Sequence, residues 1–157
     1  MKNETSKRIR RVSWILFVLY RLVLIYFLFL SEGFGRKNFS ELQYRYNLVP
    51  FLEIQRFWIH REKVGNLLAF MNIAGNVIGF VPYGFFLPIL NPGFRNIWLT
   101  GLTGFGFSLS VETIQLVFRV GCFDVDDLIL NTLGVVLGYC MFLICSWLRR
   151  KLYEKTV

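Results

Sequence analysis

Polar and charged side chains gather in one short stretch of a chain that is otherwise very apolar. Residues 110–134 read SVETIQLVFRVGCFDVDDLILNTLG and lie between two long hydrophobic runs. Three kinds of chemistry suit these side chains: general acid–base catalysis by paired carboxylates, coordination of a divalent cation by carboxylate oxygens, and binding of a polar headgroup. The candidate residues in this stretch are Glu112, Gln115, Arg119, Asp124, Asp126, Asp127 and Asn131.

The spacing of these residues matches no recognised motif of catalysis or metal binding. The chain has no nucleophile elbow, no H-E-x-x-H pair and no phosphate-binding loop. The D-x-D-D arrangement at 124–127 also departs from recognised cation-binding loops. We therefore predict a binding role, with no catalytic residue, no metal site and no cofactor. In the alternative that the protein is an enzyme, Glu112 and Asp127 would act as acid and base.

The elements that position these residues are predicted to be membrane-spanning helices. The chain has 157 residues, of which 55% are hydrophobic and only 18% charged. A spanning helix needs about 20 mostly apolar residues, and four stretches meet this requirement: 12–30, 66–90, 97–118 and 128–147. We therefore predict an all-α integral membrane bundle of four transmembrane helices, in one domain covering residues 1–157.

A short amphipathic helix is predicted in the loop between the first two spans. Pro50 suits the first turn of a helix. Polar residues then recur on one face and apolar residues on another, namely Glu53, Arg56 and His60 against Ile54 and Trp58. This pattern favours a helix from about 50 to 61 that lies in the outer membrane interface. An ordinary interfacial loop is the alternative.

The distribution of charge predicts how the bundle is oriented. The formal net charge is +8, and basic residues flank the first and last spans: Lys2, Lys7, Arg8, Arg10 and Arg11, then Arg149, Arg150, Lys151 and Lys155. Such flanks mark cytoplasmic ends and attract anionic lipid headgroups. We therefore predict a multi-pass protein of the cell membrane with both termini cytoplasmic. Membrane lipids are the expected partners, nucleic acid is not, and the oligomeric state is left open.

The polar residues of three spans are predicted to meet in the outer half of the bundle. From the rise of a helix, Glu112 lies about 10 Å, Asn72 about 9 Å and Asn131 about 5 Å below the outer ends of their spans. Unpaired polar groups are costly in lipid, so they should face one another or a wet cavity. Arg21 lies about 13 Å deep by the same measure, and we predict that it pairs with Glu112, directly or through one water.

Two G-x-x-x-G motifs permit helices to approach each other closely. Gly75 and Gly79 form one in the second span, and Gly134 and Gly138 form another in the fourth. Small residues at this spacing let two helix backbones come together in a membrane. Near the second motif, Asp124 or Asp126 is expected to cap the start of the fourth helix.

Three segments of the chain resemble the VanZ-like family of small bacterial membrane proteins. They are NLVPF at 47–51, NIAGNVIGFVPYG at 72–84 and SVETIQLVFRVGCFDVDDLILNTLGVVLGY at 110–139. The resemblance implies a four-span membrane fold and a role in low-level resistance to teicoplanin, a lipid-tailed glycopeptide that binds cell-wall precursors outside the membrane. The family's recurrent polar positions match Asn72, Asn76, Glu112, Gln115, Arg119, Asp127 and Asn131.

Together these features predict a polar pocket that faces the outer leaflet. Its ligand would be a lipid-linked cell-wall precursor or the lipid-tailed glycopeptide itself. Two alternatives stay open: an enzyme that modifies a lipid or envelope precursor, and a structural polar core that supports a partner-binding surface. The predicted ligand-binding residues are Asn72, Asn76, Glu112, Gln115, Arg119, Asp126, Asp127 and Asn131.

Overall fold

A computed structural model describes residues 2–29, 45–59 and 66–154. The fold is all-α, as predicted, apart from one two-stranded bridge. The helices are α1 (Lys2–Phe29), α2 (Leu52–Ile59), α3 (Asn66–Leu90), α4 (Ile97–Val117) and α5 (Val125–Glu154), with a 3₁₀ turn at Pro92–Phe94. The strands are β1 (Tyr46–Asn47) and β2 (Phe123–Asp124).

Three helices in the described part of the chain are long and apolar enough to cross a membrane: Lys7–Phe29 in α1, Ile73–Leu90 in α3 and Val125–Leu152 in α5. They correspond to three of the four predicted spans. Helix α4 has 21 residues but is diluted by polar side chains, and its buried face includes Thr100, Ser108 and Glu112. The crossing of the membrane by α4 therefore stays a prediction.

The centre of the bundle is the crossing of α3 and α5, which pack more extensively than any other pair. A Cβ atom on Gly134 would lie 2.1 Å from the carbonyl oxygen of Val77, and one on Gly138 would lie 2.0 Å from that of Val81. The two helix backbones are thus in direct contact, and only glycine fits at these positions. The close approach predicted from this G-x-x-x-G motif is confirmed.

The other G-x-x-x-G motif does not mark a close crossing. A Cβ atom on Gly75 would have nothing within 4 Å, and one on Gly79 would meet only the side chain of Leu24, at 3.6 Å. Gly79 contributes instead through its backbone, because its carbonyl accepts a hydrogen bond of 2.8 Å from the Tyr20 hydroxyl of α1. The close approach that this motif permits is not used, because α5 passes the other face of α3.

Arg21 lies among aromatic rings rather than against Glu112. Its guanidinium carbon is 4.6 Å from the centroid of the Phe107 ring, and no ion pair joins Arg21 to Glu112 in the described residues. The register explains this, since Gln115 Nε2 of α4 donates to the carbonyl of Leu28 in α1, 3.0 Å away. At the rise of a helix, Arg21 lies about 10 Å from Leu28 along α1, whereas Glu112 lies only about 5 Å from Gln115 along α4. The two side chains are therefore at different heights in the bundle. The predicted direct pair was therefore wrong, and pairing through one water stays a prediction.

The two ends of the bundle differ in charge. One end, the acidic end, carries Asp124, Asp126 and Asp127 at the start of α5. At the other, the basic end, the beginning of α1 meets the ends of α3 and α5 around one cavity. The cations of this basic end are Lys7, Arg10, Arg95 and Arg149. The helices therefore alternate in direction, as expected for a chain that passes back and forth.

Candidate functional site

The acidic end is organised by a short parallel bridge that the sequence did not predict. Strand β1 pairs with β2, with Tyr46 opposite Phe123 and Asn47 opposite Asp124. The Phe123 N–H donates to the carbonyl of Arg45 over 3.0 Å, and Asn47 Nδ2 donates to Asp124 Oδ1 over 3.2 Å. The bridge fixes the segment before α2 onto the connection between α4 and α5.

Asp124 caps α5, which confirms one of the two predicted caps. Its Oδ1 atom accepts a hydrogen bond of 2.8 Å from the Asp126 N–H, which lies in the first turn of the helix and has no acceptor within it. The carboxyl is buried. Burial raises the pKa of Asp124 above its ordinary value, while the hydrogen bonds from Asp126 and Asn47 act in the opposite direction.

Asp126 caps a different helix, α2, from its position in α5. Its Oδ1 accepts from the Phe51 N–H, and its Oδ2 accepts from the Ile54 N–H at 3.2 Å. Both donors belong to the start of α2, where backbone N–H groups lack helical partners. Asp126 is only 1% exposed, so these two bonds satisfy a buried carboxylate and fasten α2 to the bundle.

The backbone at Phe51 depends on this contact. Phe51 has a φ of 64°, a left-handed conformation that is uncommon for a residue with a large side chain. Asp126 compensates by binding its N–H. The result is a tight entry into α2, which begins at Leu52, two residues after Pro50.

Asp127 connects the start of α5 to α3, because its Oδ1 accepts a hydrogen bond from Asn76 Nδ2. Three acidic residues within four positions thus hold three different helices: Asp124 holds α5, Asp126 holds α2 and Asp127 holds α3. Of these aspartates, only Asp124 has the predicted role of capping the fourth helix, because Asp126 caps α2 instead.

Glu112 lies beneath this network in α4. Its Oε2 accepts a hydrogen bond of 3.1 Å from the Asp124 N–H, and the residue is 2% exposed. Ser108 lies one turn before Glu112 in α4, and Asn131 lies one turn after Asp127 in α5. Asn131 Nδ2 donates to Ser108 Oγ over 2.9 Å. The polar residues of α4 and α5 therefore face one another inside the bundle, as the depth argument predicted.

One atom of this network keeps an unused acceptor. Asn131 is 1% exposed, and its Oδ1 has no hydrogen-bond partner in the described part of the chain. A buried acceptor without a donor costs about 1–3 kcal/mol. Asn131 can therefore accept a hydrogen bond from a bound molecule or a water.

The remaining predicted site residues lie around this core. Gln115 is one turn above Glu112 and bonds to the end of α1. Arg119 follows α4 with a φ of 55° and is exposed. Asn72 lies in α3, but its side chain is outside the described residues. No group of three or more His, Cys, Asp or Glu side chains in the described segments could hold a metal ion.

Helix α2 presents apolar side chains to its surroundings. Trp58 and Ile59 are each 72% exposed, and Phe51 is 53% exposed. In an element anchored at its first turn, such exposure provides a surface suited to lipid or to a lipid tail. His60 and the side chain of Glu53, two of the three residues of the predicted polar face, lie outside the described residues.

Comparisons with known proteins support the family resemblance of the segments 47–51, 72–84 and 110–139. The sequence model of the VanZ/LLP1 family matches residues 17–146. Protein VanZ of Enterococcus faecium is 32% identical over 132 residues, which cover 81% of this chain and 71% of that protein. This chain belongs to the VanZ family. No solved structure matches it.

The VanZ family match includes the acidic end of the bundle but leaves out Lys7, Arg10 and Arg149 of the basic end. It begins in α1 and ends at residue 146 in α5, so it covers α2, the bridge and all three aspartates. Together with the three apolar helices, it identifies a helical membrane protein and confirms the family assignment made from the sequence. The sequence did not reveal the roles of Asn47 and Phe51, because both depend on contacts with residues more than 70 positions away.

Proposed function

We propose that this VanZ-family protein lowers susceptibility to teicoplanin by acting at the outer leaflet of the cell membrane. Its ligand would be the lipid-tailed antibiotic or the lipid-linked cell-wall precursor that the antibiotic binds. The observation that carries the proposal is the double hydrogen bond from α2 to Asp126. It fastens an apolar-surfaced helix beside a polar cluster, as an amphiphilic ligand requires.

The orientation follows from the opposite end of the bundle. Lys7, Arg10, Arg95 and Arg149 gather there, and basic residues next to spans favour the cytoplasmic side. The acidic end then faces outward, where teicoplanin and the exposed precursor are found. Both termini are cytoplasmic in this arrangement.

Within the predicted ligand-binding set, the contacts suggest two roles. Asp126 and Glu112 hold the framework, because their carboxylates accept backbone hydrogen bonds from α2 and β2. Asp127 and Arg119 lie nearer the surface and are proposed to contact a polar headgroup, with Asn131 Oδ1 as a deeper acceptor. Asn72, Asn76 and Gln115 complete the proposed set.

The apolar part of the ligand is assigned to α2. Exposed Trp58, Ile59 and Phe51 offer a surface for an acyl chain at the membrane interface, where aromatic side chains are favoured. The geometry favours binding over the enzymatic alternative. Glu112, the proposed acid or base in that alternative, already uses its Oε2 atom to accept a backbone hydrogen bond from Asp124.

The proposal is tested by expressing the protein in a sensitive Gram-positive host and measuring inhibitory concentrations. We expect a higher inhibitory concentration for teicoplanin and a much smaller change for vancomycin, which has no lipid tail. An empty vector and a measurement of the protein in the membrane serve as controls. Equal protection against both antibiotics would contradict the role of the lipid tail, and no protection at normal abundance would contradict the function.

A further inference from the structure

A cavity of about 470 Å³ lies at the basic end, between the beginning of α1 and the ends of α3 and α5. Four cationic side chains line it, and no carboxylate does so among the described residues. The cations come from three separate parts of the chain: Lys7 and Arg10 from α1, Arg95 from the turn after α3, and Arg149 from α5. The cavity therefore concentrates positive charge where the helices converge.

The described structure does not neutralise this charge. None of the four cations forms an ion pair with a carboxylate of the described residues. Within those residues, Arg95 Nε donates a long hydrogen bond of 3.5 Å to the carbonyl of Pro88. Like charges around one cavity repel each other, and a bound anion would relieve that repulsion. The cavity thus suits an anionic ligand, and phosphate is a group that both Arg and Lys bind.

The rest of the lining indicates that the anion carries an apolar part. Phe85 and Ile89 of α3, one turn apart, and Phe142 of α5 form the walls beside the cations. Both helices are long and apolar enough to cross a membrane, and a cavity at their ends would then lie at the level where lipid headgroups meet acyl chains. A basic pocket between helices at this level suits a lipid headgroup.

We propose that this cavity binds an anionic phospholipid of the cytoplasmic leaflet, with its phosphate held by Lys7, Arg10, Arg95 and Arg149. The glycerol and upper acyl region would lie against Phe85, Ile89 and Phe142. The site is at the opposite end of the bundle from the acidic end, so it does not depend on the proposed action on teicoplanin. Its effect is to bind the ends of α1, α3 and α5 to one another.

The test uses the full-length protein in mild detergent and compares two double variants of equal charge. R10Q with R149Q removes two cations from the cavity. R8Q with R150Q removes two cations that do not line it, and all four substituted residues are exposed. Native mass spectrometry measures how much phosphatidylglycerol each protein retains, with phosphatidylcholine as the uncharged probe.

We expect the cavity variant to lose affinity for phosphatidylglycerol by roughly thirtyfold, since each cation near an anionic headgroup contributes on the order of a fivefold change. The matched R8Q/R150Q variant should retain most of its affinity. Equal losses in both variants would show diffuse attraction to basic termini and would overturn the proposal. Equal retention of phosphatidylcholine by the parent would overturn it as well.

A second measurement locates the lipid and distinguishes it from free phosphate. Cys145 lines the cavity, so a variant with Cys122 and Cys140 replaced by serine reports on the site through alkylation of Cys145. We expect phosphatidylglycerol to slow this alkylation several-fold, and inorganic phosphate at equal concentration to leave it unchanged. Equal protection by phosphate would show an ion site rather than a lipid site. Unchanged alkylation with the lipid would place it elsewhere, and because this assay keeps every cation, it remains decisive if the R10Q/R149Q variant does not fold.

Discussion

Among the described residues, Asp124 accepts two hydrogen bonds and Asp126 at least two, but they distribute them differently. Asp124 receives both on Oδ1, from Asn47 and from the Asp126 N–H. Asp126 receives one on each oxygen, from the N–H groups of Phe51 and Ile54. The two carboxylates are both buried and only two positions apart, so they offer a matched comparison.

We predict that Asp126→Asn destabilises the protein and that Asp124→Asn does not. At position 126 an amide has one acceptor oxygen, which leaves one N–H of α2 buried against an NH₂ group, at a cost of about 1–3 kcal/mol. At position 124 the amide oxygen can replace Oδ1 for both bonds, and Asn caps helices about as well as Asp. Thermal unfolding in detergent measures the difference. Equal losses would show that the two oxygens of Asp126 do not act as described.

The raised pKa of Asp124 gives a dependence on pH. Because burial raises the pKa of Asp124 in the folded state, the folded protein binds a proton that the unfolded chain releases near its ordinary value of about 3.9. The stabilisation from this proton is complete below the unfolded pKa and is lost as the pH rises through the folded pKa. We predict that lowering the pH through this window stabilises the parent relative to Asp124→Asn. Parallel unfolding curves of the two proteins at all pH values would contradict it.

At the scale of the elements, the contact between α3 and α5 determines the bundle. Gly134 and Gly138 of α5 lie against the carbonyls of Val77 and Val81 in α3. On α3, Gly84 lies equally close to α5, since a Cβ atom on it would be 1.9 Å from the Val135 carbonyl oxygen. Neither helix can move away without separating the network at the acidic end, because Asp127 and Asn76 bridge the same pair of helices.

We predict that Gly138→Ala costs at least about 1–3 kcal/mol, the usual penalty for inserting atoms into a filled space. Its new methyl group would collide with backbone, which cannot rotate away as a side chain can. Gly75→Ala is the matched control, because nothing lies within 4 Å of that position and alanine favours helices. Unfolding in detergent should separate the two variants clearly. A loss at Gly75 as large as that at Gly138 would contradict the assigned crossing.

These elements also show how far the sequence determines the fold. The predicted span 66–90 has the same bounds as α3, and 97–118 ends one residue after α4, because apolar composition and local breakers such as Pro92 act within a few residues. The two G-x-x-x-G motifs look alike in sequence, yet only one meets another backbone. The bridge of β1 with β2, the capping of α2 by Asp126 and the place of Arg21 over Phe107 arise from distant partners, which periodicity does not reveal.

At the scale of the whole molecule, cationic side chains gather at the basic end, and this predicts the orientation in the membrane. Cys122 is exposed beside β2 at the acidic end, so an impermeant thiol reagent should label it from outside intact cells when Cys140 and Cys145 are replaced. Permeabilised cells provide the control for reactivity. Labelling of Cys122 only after permeabilisation would reverse the orientation and place the acidic end in the cytoplasm.

The most direct measurement is the teicoplanin inhibitory concentration of cells that carry Asp127→Asn or Arg119→Gln, compared at equal membrane abundance with the parent. Asp127→Asn keeps the Oδ1 acceptor for Asn76, so the fold should persist. The variant should lose about 0.3–1 kcal/mol of stability, because it removes a negative charge from the N-terminal end of a helix dipole. A charged contact to ligand is worth about 1.5–3 kcal/mol, roughly tenfold or more in affinity. Arg150→Gln, at the basic end, is the matched charge control and should protect as the parent does. We predict that both acidic-end variants lose protection while the control retains it; protection equal to the parent in all three would contradict a ligand site at the acidic end.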